Sequence, residues 1–178
     1  MWGAQGDDTF TVSSEKSAGG DNALILNRGD NKGQWGFGID FSQAPEAGVL
    51  KVEYNVLFDG PGNQAAIGFE IRERISGRSI VSAFGVQDFA VRDAKRKKVF
   101  EITRDTWYHV TFTVPLSETD GKVKSITIRE LKGDKSATLE SEMTAYPSKL
   151  GQFLVNTHPD KNNYRIFFDD VKVSVETR

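Results

Sequence analysis

Apolar and polar residues alternate with a period of two through much of this chain. The clearest alternating runs cover residues 34–41, 48–58, 67–72, 107–116 and 164–168. Alternation of this kind is typical of strands in antiparallel sheets, which bury one face and leave the other in water. No window of about a dozen residues keeps an apolar face at the helical period of about 3.6. The pattern therefore predicts strands and no helices.

Turn-forming sequences such as Asp59-Gly60-Pro61-Gly62-Asn63 and Asp120-Gly121 separate these runs. About a dozen strands without crossover helices cannot form a parallel sheet, so we expect an antiparallel two-layer sandwich or a barrel. The long run at 48–58 favours a large sandwich. No internal repeat or low-complexity linker interrupts the chain, which predicts one domain over residues 1–178.

The last alternating run changes parity near its middle. Apolar residues stand at 164, 166 and 168 and then at 171, 173 and 175. A strand changes parity only through an extra residue, so we expect a β-bulge at Asp169-Asp170, with the three later valines facing the core.

Composition excludes several classes of site. The chain of 178 residues has no Cys and two His, which excludes disulfides, thiolate metal sites, Cys nucleophiles and a His-rich metal centre. Lys and Arg number 23 against 25 Asp and Glu, a net charge of −2, which argues against a nucleic-acid partner. No apolar stretch reaches the roughly 18 residues of a membrane-spanning helix, so no membrane insertion is expected. The first eight residues lack the pattern of a signal peptide, which leaves a cytoplasmic protein or a domain cut from a secreted chain.

Three segments resemble known β-sandwich families. The run from Asn163 to Val173, with its Phe168-Asp169-Asp170-Val171 element, is similar to the closing strand of β-jelly-roll carbohydrate-binding modules and of concanavalin A-like, laminin-G-like lectin domains. The opening segment 10–26 is similar to their first two strands, and Thr106-Trp107-Tyr108-His109-Val110 to a middle strand of laminin-G-like domains. This resemblance implies a two-sheet antiparallel jelly-roll sandwich, an extracellular or periplasmic setting within a larger secreted protein, and glycan binding on a concave sheet face or at loop tips.

A structural Ca²⁺ is the metal that this chain would hold. Asp169 and Asp170 offer carboxylate oxygens, which hard cations prefer, and the resemblance adds Glu15 and Asp21 as partners by their positions. The alternative interpretation is a surface turn with two solvated acids.

The candidate carbohydrate-binding residues are polar or aromatic and stand on strands. They are Asn55, Glu70, Arg72, Arg74, Trp107 and His109. Between Glu70 and Arg104 the chain has nine basic and five acidic residues, and a basic region on an acidic protein suits an anionic partner. Because Arg binds carboxylate or sulfate through two parallel hydrogen bonds, an anionic polysaccharide fits. The alternative is a solvated basic loop that protects an edge strand.

The sequence thus favours a monomeric, non-catalytic carbohydrate-binding module for a polysaccharide or oligosaccharide. Two other functions stay open. One is a polysaccharide lyase or glycoside hydrolase of the same fold, since Glu70-Ile71-Arg72 resembles an Arg- and Glu-containing strand of such lyases. The other is a structural or protein-binding sandwich, because a fold does not determine a function.

Overall fold

In a computed structural model of the protein, the described residues are 9–28, 35–41, 46–59, 67–73, 80–93, 96–157 and 164–177. These ranges form thirteen β-strands, and none of them contains a helix that could cross a membrane. The strands are β1 (Thr9–Ser13), β2 (Ala23–Arg28), β3 (Trp35–Asp40), β4 (Val49–Asp59), β5 (Ile67–Glu73), β6 (Ile80–Gln87), β7 (Ala90–Arg92), β8 (Lys98–Glu101), β9 (Trp107–Pro115), β10 (Val123–Glu130), β11 (Ser136–Glu142), β12 (Leu150–Thr157) and β13 (Tyr164–Glu176).

The strands build two antiparallel sheets. One has seven strands in the order β1-β2-β13-β4-β9-β10-β11, and the other has six in the order β3-β12-β5-β6-β7-β8. Aromatic rings from the two sheets meet between them: Tyr54 stacks on Phe69 with ring centroids 5.7 Å apart, and Phe112 meets Phe153 edge-on at 5.9 Å. The prediction of an all-β, two-sheet antiparallel jelly-roll sandwich of about a dozen strands is confirmed.

Alternation along each strand decides which side chains face the core. In β9, Tyr108, Val110 and Phe112 are at most 1% exposed, whereas Trp107 and His109 on the other face are partly exposed. Each sheet therefore has one face in the core and one outer face.

The bulge in β13 is confirmed. Its pairing with β4 shifts register between Asp169 and Lys172, and Asp170 adopts a positive φ of 50°. Beyond the bulge, Val175 packs against the core. The expectation that all three later valines are buried is wrong, since Val171 and Val173 are 42% and 39% exposed. The reason is that β2 pairs with β13 only up to Phe168, so this part of β13 pairs with β4 alone.

A second, smaller apolar cluster lies on the outer side of the seven-stranded sheet. It consists of Ala23, Ile25, Leu57 and Phe167, all 4% exposed or less, and Trp107 packs against it. The loop of residues 14–22 between β1 and β2 runs across this region, since the Asp169 carboxylate accepts a hydrogen bond from the Ala18 amide at 2.7 Å. The Lys16 ammonium lies 5.4 Å from the centre of the Phe167 ring. This loop therefore covers an outer surface that would otherwise expose apolar side chains.

Candidate functional site

The outer face of the six-stranded sheet carries an ordered set of polar and very small residues, which we call the six-stranded face. Strand pairing places Gln152 beside Arg72, Leu154 beside Glu70, and Asn156 beside Gly68. On the other side of β5, Ala83 lies beside Glu70 and Gly85 beside Gly68. Ile67, Phe69 and Ile71 alternate with these β5 residues and are at most 3% exposed, so Gly68, Glu70 and Arg72 point outward.

Glu70 and Arg72 form an ion pair at the centre of this face. The Nε and Nη2 atoms of Arg72 both lie 2.5 Å from Oε2 of Glu70. The two side chains are only 16% and 15% exposed, although they stand on an outer face. Two donors on one carboxylate oxygen hold the guanidinium in a fixed orientation, and no described residue binds its Nη1 atom.

Small residues leave a shallow floor next to this ion pair. A Cβ added at Gly68 would lie 3.4 Å from Oε1 of Glu70 and 3.8 Å from Cβ of Asn156, and one added at Gly85 would meet only a backbone oxygen at 3.6 Å. In β3, by contrast, a Cβ at Gly38 would lie 3.0 Å from the Phe153 carbonyl oxygen and 3.4 Å from the side chains of Gln152 and Leu154, so the space above Gly38 is filled. The floor is therefore open at Gly85, and the side chains of Glu70 and Asn156 border it at Gly68.

The floor continues towards the basic edge of the sheet. Arg92 in β7 pairs with Gly85 on one side and with Lys98 of the edge strand β8 on the other. The Arg92 guanidinium binds the Arg96 carbonyl oxygen and the Asp88 carboxylate. The floor is thus bordered at its β8 end by two cations, each with an acidic partner, since Lys98 pairs with Glu101 at 3.3 Å as Arg92 does with Asp88. A net basic surface along segment 70–104 stays a prediction.

The six predicted carbohydrate-binding residues do not share one face. Glu70 and Arg72 lie on the six-stranded face, and Arg74 lies outside the described residues. Asn55, Trp107 and His109 lie on the outer face of the other sheet, where β4 pairs with β9. Grouping all six into one site is therefore wrong. The cause is that alternation assigns a residue to the outer side of its own strand, but it does not say to which sheet the strand belongs.

Asn55 and His109 belong to a hydrogen-bonded chain that ends at the β13 bulge. Asn55 is 5% exposed; its Nδ2 donates to the Asp170 carboxylate at 2.7 Å, and its Oδ1 lies 2.9 Å from Nδ1 of His109. The carboxylate accepts only, so the amide orientation is fixed and Nδ1 of His109 carries the proton. The three side chains join β4, β9 and β13 through satisfied polar groups, and Trp107 packs on the small apolar cluster.

The four predicted calcium ligands have other partners or stand apart. Asp169 accepts hydrogen bonds from the amides of Ala18 and Gly19, Asp170 accepts from Asn55, and Glu15 pairs with Arg165 at 2.8 Å. Asp21 is exposed. Within the described ranges, no three His, Asp or Glu side chains gather as a metal site. Calcium binding stays a prediction.

Sequence reasoning missed a charge network beneath the β1–β2 loop. Lys16 bridges Asp59 and Asp105 at 3.2 and 2.6 Å, and Arg165 joins Asp59 to Glu15. Burial alone would raise the pKa of the Asp59 carboxyl, but hydrogen bonds and charges from Lys16 and Arg165 outweigh it, so this pKa lies below its ordinary value. No local motif signals such a network, because its members are up to 150 positions apart.

Comparisons with known proteins establish the fold. No family model matches the chain, and no curated protein matches its sequence. Solved structures do match. A β-1,4-glucuronan lyase from the fungus Trichoderma reesei superposes with a TM-score of 0.66 at 11% identity, over 99% of this chain and 90% of that chain. A carbohydrate esterase from the Shiga toxin-encoding bacteriophage phi24B has a TM-score of 0.65 at 13% identity, over 99% and 90%. An alginate lyase from Aplysia kurodai has a TM-score of 0.61 at 12% identity, over 94% and 87%. At these identities the comparisons show a shared fold, the two-sheet jelly-roll sandwich.

Proposed function

We propose that the protein binds a polysaccharide on the six-stranded face, and that Arg72 recognises acidic groups on it. The observation that carries this proposal is the Glu70–Arg72 ion pair, held at 2.5 Å beside the Gly68–Gly85 floor. The proposal is supported by the fold, because three proteins of similar structure are described as acting on carbohydrates.

The arrangement suits a sugar chain for physical reasons. A pyranose ring is a chair with C–H groups on its two faces and equatorial hydroxyl groups at its rim, so it fits an open floor with polar groups beside it. Gln152 and Asn156 in β12 supply amide donors and acceptors next to the floor. Rigid strands hold these groups before binding, which lowers the entropic cost of ordering them.

The charge of the site favours an acidic sugar. Glu70 takes two donors of Arg72, and among the described residues the Nη1 atom has no partner, so it can act as an oriented cationic donor. Arg92 and Lys98 at the far end of the floor supply further cationic donors, although each also pairs with an acid, Asp88 and Glu101 respectively. A uronic acid or a sulfated sugar would place its anionic group on these residues, because guanidinium groups match carboxylate and sulfate geometry.

The second candidate function is cleavage of an acidic polysaccharide on the same face. Two of the three similar structures are polysaccharide lyases, and Glu70 is a carboxylate at the centre of the face. Cleavage by elimination would release unsaturated uronates, whereas hydrolysis would release new reducing ends.

Calorimetric titration with oligoglucuronate, oligoalginate and a neutral β-glucan tests the proposal. Arg72→Gln should weaken binding of the acidic oligosaccharides about tenfold or more, because a charge-assisted hydrogen bond contributes about 1.5–3 kcal/mol. The matched control is Arg129→Gln, an exposed arginine in β10 beside His109 on the other sheet. Equal affinity of wild type and Arg72→Gln would refute the role of Arg72. Ultraviolet absorbance of unsaturated uronates and a reducing-end assay on the same mixtures distinguish binding from cleavage.

A further inference from the structure

A cleft opens between the two sheets at the start of β6, where Ala83 borders both the cleft and the six-stranded face. Its volume is about 430 Å³, within the roughly 300–1,000 Å³ of small-molecule sites. One wall is the start of β6, residues 80–83, and the other is formed by β10 and β11. Ile80, Val81, Ile126 and Leu139 give it an apolar lining. We call it the inter-sheet cleft.

A lysine projects into this cleft from the core-facing side of β10. Lys124 has the same strand parity as Ile126 and Ile128, which are at most 4% exposed. Lysine is rarely placed on a buried row without a partner. Here its ammonium donates to the Val81 carbonyl oxygen at 2.5 Å.

A β-bulge makes that carbonyl available. The pairing of β5 with β6 shifts register, with Ile71 opposite Ser82 and Arg72 opposite Ile80, so Val81 has no opposite residue. A bulged residue leaves the regular ladder, and its carbonyl can accept from a side chain. The bulge and the inward lysine together place a cation at the mouth of the sandwich.

The Lys124 charge has no counter-ion among the described residues. An ammonium has three donors, and the carbonyl of Val81 occupies one of them. Two acids also line the cleft, but Asp93 accepts the Lys97 amide at 2.9 Å, and Glu140 is exposed at the rim. Neither of them reaches Lys124 within ion-pair distance. Burial disfavours the charged ammonium of Lys124 and so lowers its pKa. A bound anion would offset this loss of hydration by stabilising the charged form.

Polar hydroxyls complete the lining. Ser82 is only 4% exposed, and Ser141 lies opposite Lys124 on the neighbouring strand β11. Both residues line the cleft. A ligand with an anionic head and an apolar body would therefore meet a cation and hydroxyls at one end and aliphatic side chains along its length.

We propose that the inter-sheet cleft binds a small amphipathic carboxylate, with its carboxylate on Lys124 and its apolar body against Ile126 and Leu139. The residues that would hold this ligand differ from Glu70 and Arg72 of the proposed polysaccharide face. The apolar body can be aliphatic or aromatic, since either kind can pack against aliphatic side chains. Octanoate represents the aliphatic carboxylates and benzoate the aromatic ones.

Calorimetric titration of the full chain with octanoate, benzoate and the uncharged analogue octanol tests the proposal. At least one of the two acids should bind saturably and more tightly than octanol. Lys124→Gln should weaken it about tenfold or more. Lys122→Gln is the matched control, because Lys122 is an exposed neighbour that pairs with Glu118, and it should leave the affinity unchanged. Absence of saturable binding of both acids, or equal binding by Lys124→Gln, would overturn the proposal.

A measurement on the wild-type protein covers the case in which Lys124→Gln does not fold. Methyl resonances of Ile126 and Leu139 should shift on addition of the bound acid, because their side chains line the cleft. The methyl groups of Val12, which is 72% exposed on the edge strand β1, should not shift. Shifts confined to methyl groups outside the cleft would overturn the proposal.

Discussion

Gly85→Val should block the six-stranded face without unfolding the protein. A Cβ at Gly85 would meet only the Ile67 carbonyl oxygen, at an ordinary contact distance of 3.6 Å. Glycine in a strand pays the largest backbone entropy on folding, and valine suits a strand. We therefore expect the free energy of unfolding to stay unchanged or to rise by up to about 1 kcal/mol. The valine side chain would stand on the floor between Ala83 and Gln87, which flank it along β6.

The assay compares stability and affinity for the same variant. Urea denaturation gives the free energy of unfolding, and calorimetry gives the affinity for an acidic oligosaccharide. This affinity should fall at least about tenfold, because the sugar ring can no longer approach the backbone. Thr113→Val is the matched control, since it places the same side chain on the outer face of the other sheet, where Thr113 pairs with Ser125. A stable Gly85→Val variant with wild-type affinity would refute the floor as the binding surface.

Three further predictions concern the other sheet. Asp59→Asn should destabilise the protein at neutral pH, because the pKa of Asp59 lies below its ordinary value. The stabilisation by the ionised carboxylate is present at higher pH and is lost as pH falls through the folded-state pKa, so urea melts should show the difference in unfolding free energy between wild type and variant narrowing below about pH 4. A difference that does not change with pH would contradict this. Asn55→Ala should lower the free energy of unfolding by about 1–3 kcal/mol, because Asp170 and His109 lose their hydrogen-bond partner. Calorimetry should show unchanged oligosaccharide affinity, and lost affinity in the folded variant would instead support a binding role for Asn55. If Ca²⁺ binds at the β13 bulge, EGTA should lower the melting temperature by several degrees, and identical melts with EGTA and with added Ca²⁺ would contradict the calcium prediction.

Local alternation was enough to predict most of the architecture. Side chains such as Tyr108, Val110 and Phe112 must be buried on one side of their strand, so their spacing directly reflects the sandwich. The parity change at Asp169-Asp170 likewise predicted the bulge, because a strand has no other way to change faces. The exposure of Val171 and Val173 could not be predicted, since it depends on where the neighbouring strand β2 stops pairing.

The candidate site was predictable only in part. The outward direction of Glu70 and Arg72 follows from the buried residues between them. Their separation from Asn55 and His109 does not, because strands distant in sequence are assigned to sheets by long-range pairing. Gly68 and Gly85 were also missed, since a glycine gives no local signal for a floor until a facing glycine in the next strand is known. The same holds for Lys124, whose acceptor is a carbonyl 43 positions away.

Chemical-shift mapping with an acidic oligosaccharide tests the polysaccharide face most directly. In a ¹⁵N-labelled sample, the backbone amides of Gly68 and Gly85 should shift on titration, because both lie on the floor beside the Glu70–Arg72 pair. The amides of Thr111 and Thr127, paired on the outer face of the other sheet, should stay in place. Saturable binding that moves Thr111 and Thr127 while Gly68 and Gly85 remain unchanged would contradict the account.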